Sequence, residues 1–138
     1  MAARITVESF AAMMRDAMPF ASALDIETLE IGEGTAMLRL PFRADFLRPG
    51  GTVGGPLLMG LADVAMYAAV LSATGAAASV TANLNVTFLR KPAPMPVVAE
   101  ARVIRHGRRL VYGEIALFSE GDPKIIAHAT ASYALPAG

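Results

Sequence analysis

The sequence predicts an α+β fold in which a curled antiparallel β-sheet wraps around a long central α-helix, with a short N-terminal helix ahead of both. Three observations carry that prediction. From about Pro56 to Ser72 the chain is apolar with no charge except Asp63, and a helix apolar on nearly every face must be buried on nearly every face. Stretches alternating with the period of a strand lie on both sides of it. The chain has 138 residues, 54% of them hydrophobic, enough for the core of one domain spanning 1–138 and too few for a second.

Each element follows from local chemistry. Thr6 is a candidate N-cap with Glu8 in the first turn, and Val7, Phe10, Met14 and Ala17 recur at helical spacing until Pro19 stops the run. Leu24 and Ile26 alternate with Asp25 and Glu27, Gly32 and Gly34 flank a turn, and Ala36, Leu38 and Leu40 alternate with more polar neighbours, which makes a hairpin. Arg48 to Gly55 (RPGGTVGG) reads as loop, and Pro56 suits a first helical position because its missing N–H is not needed there. Gly75 ends the central helix. Val80, Ala82, Leu84, Val86 and Phe88 then share one face and Thr81, Asn83, Asn85 and Thr87 the other, in an unbroken period of two. After three prolines a strand runs from Val97 to Ile104, turns at His106-Gly107 into Leu110 to Phe118, and turns again at Glu120 to Pro123. In the last strand Ile125, Ala127, Ala129, Ala131 and Tyr133 face away from Ile126, His128, Thr130 and Ser132. So small a domain leaves sheet edges uncovered and is expected to pair with further copies.

Composition narrows the function. Twelve basic and twelve acidic residues cancel, so no global pull on nucleic acid or on an anionic membrane is encoded. Cysteine is absent, which excludes disulfides, thiolate metal sites and a cysteine nucleophile. The N-terminus lacks the order of a secretory signal, so a cytoplasmic address is expected. Pro56 to Leu84 is long enough to cross a bilayer, but Asp63 and the polar Ser72, Thr74, Ser79, Thr81 and Asn83 argue against insertion.

Asp63 is the only charged residue between Arg48 and Arg90. A carboxylate set among Leu61, Ala62, Val64 and Ala65 is costly unless paired or functional, which makes it the leading candidate for a catalytic base, against the alternative of a structural carboxylate. Gly50, Gly51, Gly54 and Gly55 bring backbone N–H groups to a helix start, where partial positive charge can hold an oxyanion, although turning the chain would need glycines too. The sequence has neither a phosphate-binding Gly-Lys-Ser/Thr nor G-x-G-x-x-G, no G-x-S-x-G around a serine, and no ligands at metal spacing near His106 or His128. Arg90-Lys91 and Arg105 with Arg108-Arg109 form two local basic clusters suited to phosphates or to solvent.

Gly51-Thr52-Val53-Gly54-Gly55, Leu61-Ala62-Asp63 and Asn85-Val86-Thr87-Phe88-Leu89-Arg90 together resemble the hotdog-fold acyl-CoA thioesterases, in particular the PaaI-like (phenylacetate-pathway) branch. The likeness runs from the first hairpin to the last strand. The branch's run Gly-Thr-Val-His-Gly-Gly, six residues, then Asp aligns without a gap. The resemblance implies a homodimer or homotetramer with active sites at the subunit interface, cleaving an acyl-CoA thioester without metal or redox cofactor. It implies Asp63 as general base or nucleophile, the Gly55 N–H as donor to the thioester carbonyl, and Thr81 as a hydroxyl that the opposing subunit contributes to position water. Arg90, Lys91, Arg108 and Arg109 are expected to meet the phosphates of coenzyme A, and Arg48, Gly54 and Asn83 to join them in substrate binding. Three positions depart from the branch: Gly54 stands for its His, Pro56 for its second Gly and Arg48 for a common Asn. These departures keep a second reading open, a catalytically weak or silent hotdog module that binds acyl-CoA or another apolar ligand. A hotdog dehydratase or hydratase normally uses a His in its site, and none lies near Asp63 in sequence.

Overall fold

The computed structural model describes residues 2–137. Helix α1 (Val7–Ala17) opens on a reciprocal cap, since the Thr6 hydroxyl accepts from the Ser9 N–H and the Ser9 hydroxyl accepts from the Thr6 N–H. Pro19 does end α1, but it also takes the first position of a short second helix, α2 (Pro19–Ala23), where a missing N–H costs nothing. Strands β1 (Glu27–Gly32) and β2 (Thr35–Leu40) form the expected hairpin.

The stretch read as plain loop is more ordered than its glycines suggest. After one 3-10 turn at Ala44–Phe46, β3 (Leu47–Arg48) pairs with β4 (Thr52–Val53) across a turn in which Gly50 and Gly51 take φ of 99° and 75°. Side chains disfavour that conformation, so the glycines close a hairpin that aims Gly54 at the helix start.

Helix α3 (Gly55–Thr74) extends one residue earlier and two later than the apolar run predicts, and ends on Gly75 with φ 71°. It is long and apolar enough to cross a membrane. It is instead the core helix, with Leu61, Ala62, Ala65, Met66, Ala68, Ala69 and Val70 fully buried. Ser72, also buried, satisfies its hydroxyl by donating to the Ala69 carbonyl at 2.7 Å and accepting from the Gly34 N–H at 2.9 Å, which pins the β1–β2 turn to α3.

Strands β5 (Val80–Phe88), β6 (Val97–His106), β7 (Leu110–Ser119) and β8 (Ile125–Ala134) complete a six-stranded antiparallel sheet in the order β1-β2-β6-β7-β8-β5. Leu38, Leu40, Val97, Ala99, Ile115, Leu117, Ala129 and Ala131 turn inward against α3. Alanines on both layers let helix and sheet approach closely, and each large side chain buried there contributes about 1.5–3 kcal/mol.

Two bulges correct the alternation expected from sequence. In β5, Thr81 pairs with Tyr133 and Asn83 with Ser132, so Ala82 is an extra residue and the period of two is broken. In β8, Leu117 pairs with Ala127 and Phe118 with Ile125, so Ile126 is extra; it is buried and Ile125 is exposed, the reverse of a strict alternation that groups Ile125 with Ala127.

Candidate active site

Asp63 is half-buried on α3, where the start of β5 and the end of β8 meet the helix. Its Oδ1 accepts two hydrogen bonds, from the Thr81 hydroxyl at 2.8 Å and the Tyr133 hydroxyl at 2.6 Å. The two hydroxyls emerge side by side because Thr81 and Tyr133 are cross-strand partners. The Tyr133 oxygen also lies 2.9 Å from the Asp63 carbonyl. Burial, and then the negative charge of Asp63, push the Tyr133 phenol well above its ordinary range, so it stays a protonated donor. Tyr133 was not among the residues singled out from sequence, where it reads as one more inward position of the last strand.

Thr81 departs from the expectation made for it, and Asn83 is not brought to Asp63. The hydroxyl expected from an opposing subunit reaches Asp63 of its own chain, because β5 follows α3 after a short turn and runs back along it. The bulge at Ala82 then separates residues that strict alternation puts on one face. Thr81 lies on the inner face with Tyr133, whereas Asn83, opposite Ser132, is exposed on the outer face and away from Asp63.

Two depressions share Asp63. One of about 530 Å³ is lined by Met18, Val64, Tyr67, Val80 and Tyr133; the other, of about 350 Å³, by Phe20, Met59, Gly60, Val64 and Leu84. Met18 and Phe20 come from the segment around α2, a wall that the sequence pattern did not assign to the site.

The other end of α3 carries a different set of groups. Gly54 is the N-cap residue, its carbonyl accepting from Leu57 and Leu58, and the Gly55 N–H finds no acceptor among the described residues. Gly55 lines a third depression, of about 530 Å³, with Arg48, Phe88, Arg90 and Lys91. Among the described residues none of these three cations has a carboxylate partner. Arg108 and Arg109 are not with them. They sit in the β6–β7 turn, where the Arg109 carbonyl accepts from Leu135 beside the Val80 end of β5, whereas Arg90 follows the Phe88 end. Nine residues of strand put the two clusters roughly 25–30 Å apart on one chain. His128 pairs with Glu114 at 3.0 Å, and among the described residues no three His, Asp or Glu side chains group to hold a metal.

A long helix wrapped by a six-stranded antiparallel sheet, with a carboxylate two turns into that helix, is the hotdog architecture, and the chain belongs to the thioesterase superfamily, whose profile matches residues 50–126. A candidate esterase of Saccharolobus solfataricus is 30% identical over 110 residues, covering 80% of this chain and 78% of that protein. Among solved structures, a candidate thioesterase from Silicibacter is 34% identical with a TM-score of 0.89, covering 98% of this chain and 94% of its own. The PaaI protein from the phenylacetic acid degradation operon of E. coli is 25% identical with a TM-score of 0.83, covering 93% and 91%. Within the superfamily the chain is PaaI-like, and its general chemistry is hydrolysis of thioesters or esters.

Proposed function

We propose that the protein hydrolyses an acyl-CoA thioester, as a cytoplasmic homodimer or homotetramer, with Asp63 as general base or nucleophile and the Gly55 N–H as oxyanion donor. The observation that carries this reading is the Asp63 carboxylate itself, held on one oxygen by two hydroxyls and open to apolar depressions on either side. With Asp63 as base, the carboxylate takes a proton from water as its oxygen adds to the thioester carbonyl carbon, and the Gly55 N–H holds the oxyanion until the C–S bond breaks and the thiolate leaves, taking the proton back from Asp63. Arg48, Arg90 and Lys91 around Gly55 suit the phosphates of coenzyme A.

One chain does not bring these groups together. Asp63 follows Gly55 by eight residues of helix, about 12 Å of rise, whereas an oxyanion donor has to lie about 3 Å from the reacting oxygen. The Gly55 N–H therefore belongs to a second copy. Strand β5 supports such a copy, since it is one edge of the sheet and exposes Val80 and Phe88, with exposed Leu89 just beyond it. The Phe88 ring lies against Gly55 at one end of β5, and Thr81 bonds Asp63 at the other. Antiparallel pairing of two β5 edges brings the Asp63 end of each chain to the Gly55 end of its partner.

The test is hydrolysis across short, long and aromatic acyl-CoAs. Turnover of at least one is expected, with a loss of about a thousandfold or more in folded Asp63→Asn. Tight binding of acyl-CoA with no turnover of any would favour the silent module instead.

A further inference from the structure

Resting on the hydrolase reading above, we propose that Tyr133 is a positioning residue that, with Thr81, ties down Oδ1 of Asp63 and leaves Oδ2 as the one oxygen that meets water or the thioester. A carboxylate oxygen offers two lone pairs, and here both on Oδ1 meet hydroxyl donors, at 2.8 Å from Thr81 and 2.6 Å from Tyr133. Among the described residues Oδ2 has no donor. Rotating the carboxylate to exchange its oxygens would break both bonds at once, so the side chain presents a single oxygen in a fixed plane.

Tyr133 is built to hold that plane. It is 3% exposed, its ring stacks on Tyr67 with centroids 6.1 Å apart, and Tyr67 packs against Phe10 at 6.2 Å. Tyr67 is itself anchored, donating to the Ala77 carbonyl at 2.7 Å. The same Tyr133 hydroxyl lies 2.9 Å from the Asp63 carbonyl, so it fixes the backbone and the side chain of one residue together. Held protonated by burial and by the Asp63 charge, the phenol serves as a donor and takes no proton from the reaction. Small misplacements of a reacting group are costly in rate, which is where such a support acts.

Tyr133→Phe keeps the ring and removes the hydroxyl. With the best acyl-CoA, kcat is expected to fall about tenfold or more with KM within about twofold, while the fold and melting temperature stay close to wild type. Thr81→Val should do the same and Thr81→Ser should restore the rate, which a purely packing role would not produce. Unchanged kcat in Tyr133→Phe, beside an inactive Asp63→Asn, overturns the assignment. If Asp63→Asn keeps full activity, the hydrolase reading fails first. The positioning claim is then decided by crystal structures, in which the Asp63 carboxylate should be turned in Tyr133→Phe and overlay with wild type if the claim is wrong.

Discussion

The two ends of α3 differ in what they finish. At Asp63 the chain supplies the carboxylate, both hydroxyl supports and two apolar walls, and every support comes from the same chain. At Gly55 it supplies an N–H without an acceptor and three cations without a carboxylate partner among the described residues, and the exposed Phe88 and Leu89. In the proposed mechanism the first end supplies the reacting group and the second the holder of the electrophile. One helix carries two sets of groups too far apart to meet within one chain, which is why the mechanism proposed above calls for a second copy.

Three variants probe that contrast, beginning with the largest effect. Gly55→Pro removes the donor: Gly54, at φ −67° and ψ 143°, already has the conformation a following proline demands and the first helical position tolerates proline. A proline at 55 ahead of Pro56 is disfavoured in the helical conformation, so the variant's fold is checked alongside its rate. Its kcat should fall about 10²–10³-fold, with the fold intact by circular dichroism. A fully active Gly55→Pro would end the role of the Gly55 end in catalysis. Arg90→Ala with Lys91→Ala should raise KM for an acyl-CoA about tenfold or more and leave an acyl-pantetheine, which lacks the nucleotide phosphates, unaffected. Equal losses on both substrates would mean that the cations do not meet those phosphates.

The smallest effect belongs to the Asp63 end and appears only in alkali. The folded Tyr133 holds its proton above the ordinary tyrosine value of 10.0. Below that pH the phenol is protonated in both states and its contribution to stability is complete. Above it the unfolded chain releases a proton that the folded chain keeps, so stability falls by up to about 1.4 kcal/mol per pH unit. Denaturant melts from pH 9 to 11 should show a steeper loss for wild type than for Tyr133→Phe, and parallel curves would contradict the burial of the phenol against Asp63.

The contrast between the two ends was partly legible in the sequence. Asp63 stands out because no other charge lies between Arg48 and Arg90, and Gly55 because Pro56 and the glycines mark a helix start. The order of elements followed from hydrophobic periods of two and 3.6, signals written locally along the chain. Bulges are not written that way. Ala82 and Ile126 look like ordinary members of alternating runs, and only pairing with a neighbouring strand shows that one residue has no opposite. That hidden residue decides that Thr81 turns to Asp63 and Asn83 turns away. Tyr133 was missed for a related reason, since its partner lies 70 residues away. The mini-hairpin of β3 and β4 is two residues per strand, too short to show a period.

The most direct test of a site shared between copies is complementation. Asp63→Asn and Gly55→Pro chains carrying different tags would be co-expressed and the mixed oligomer purified through both tags. In a two-fold pair one site then inherits both changes and the other none, so the account predicts about half of wild-type kcat from two parents that are each nearly inactive. A mixed oligomer as inactive as its parents would contradict it, and would mean that Asp63 does not act with the Gly55 N–H of a second chain.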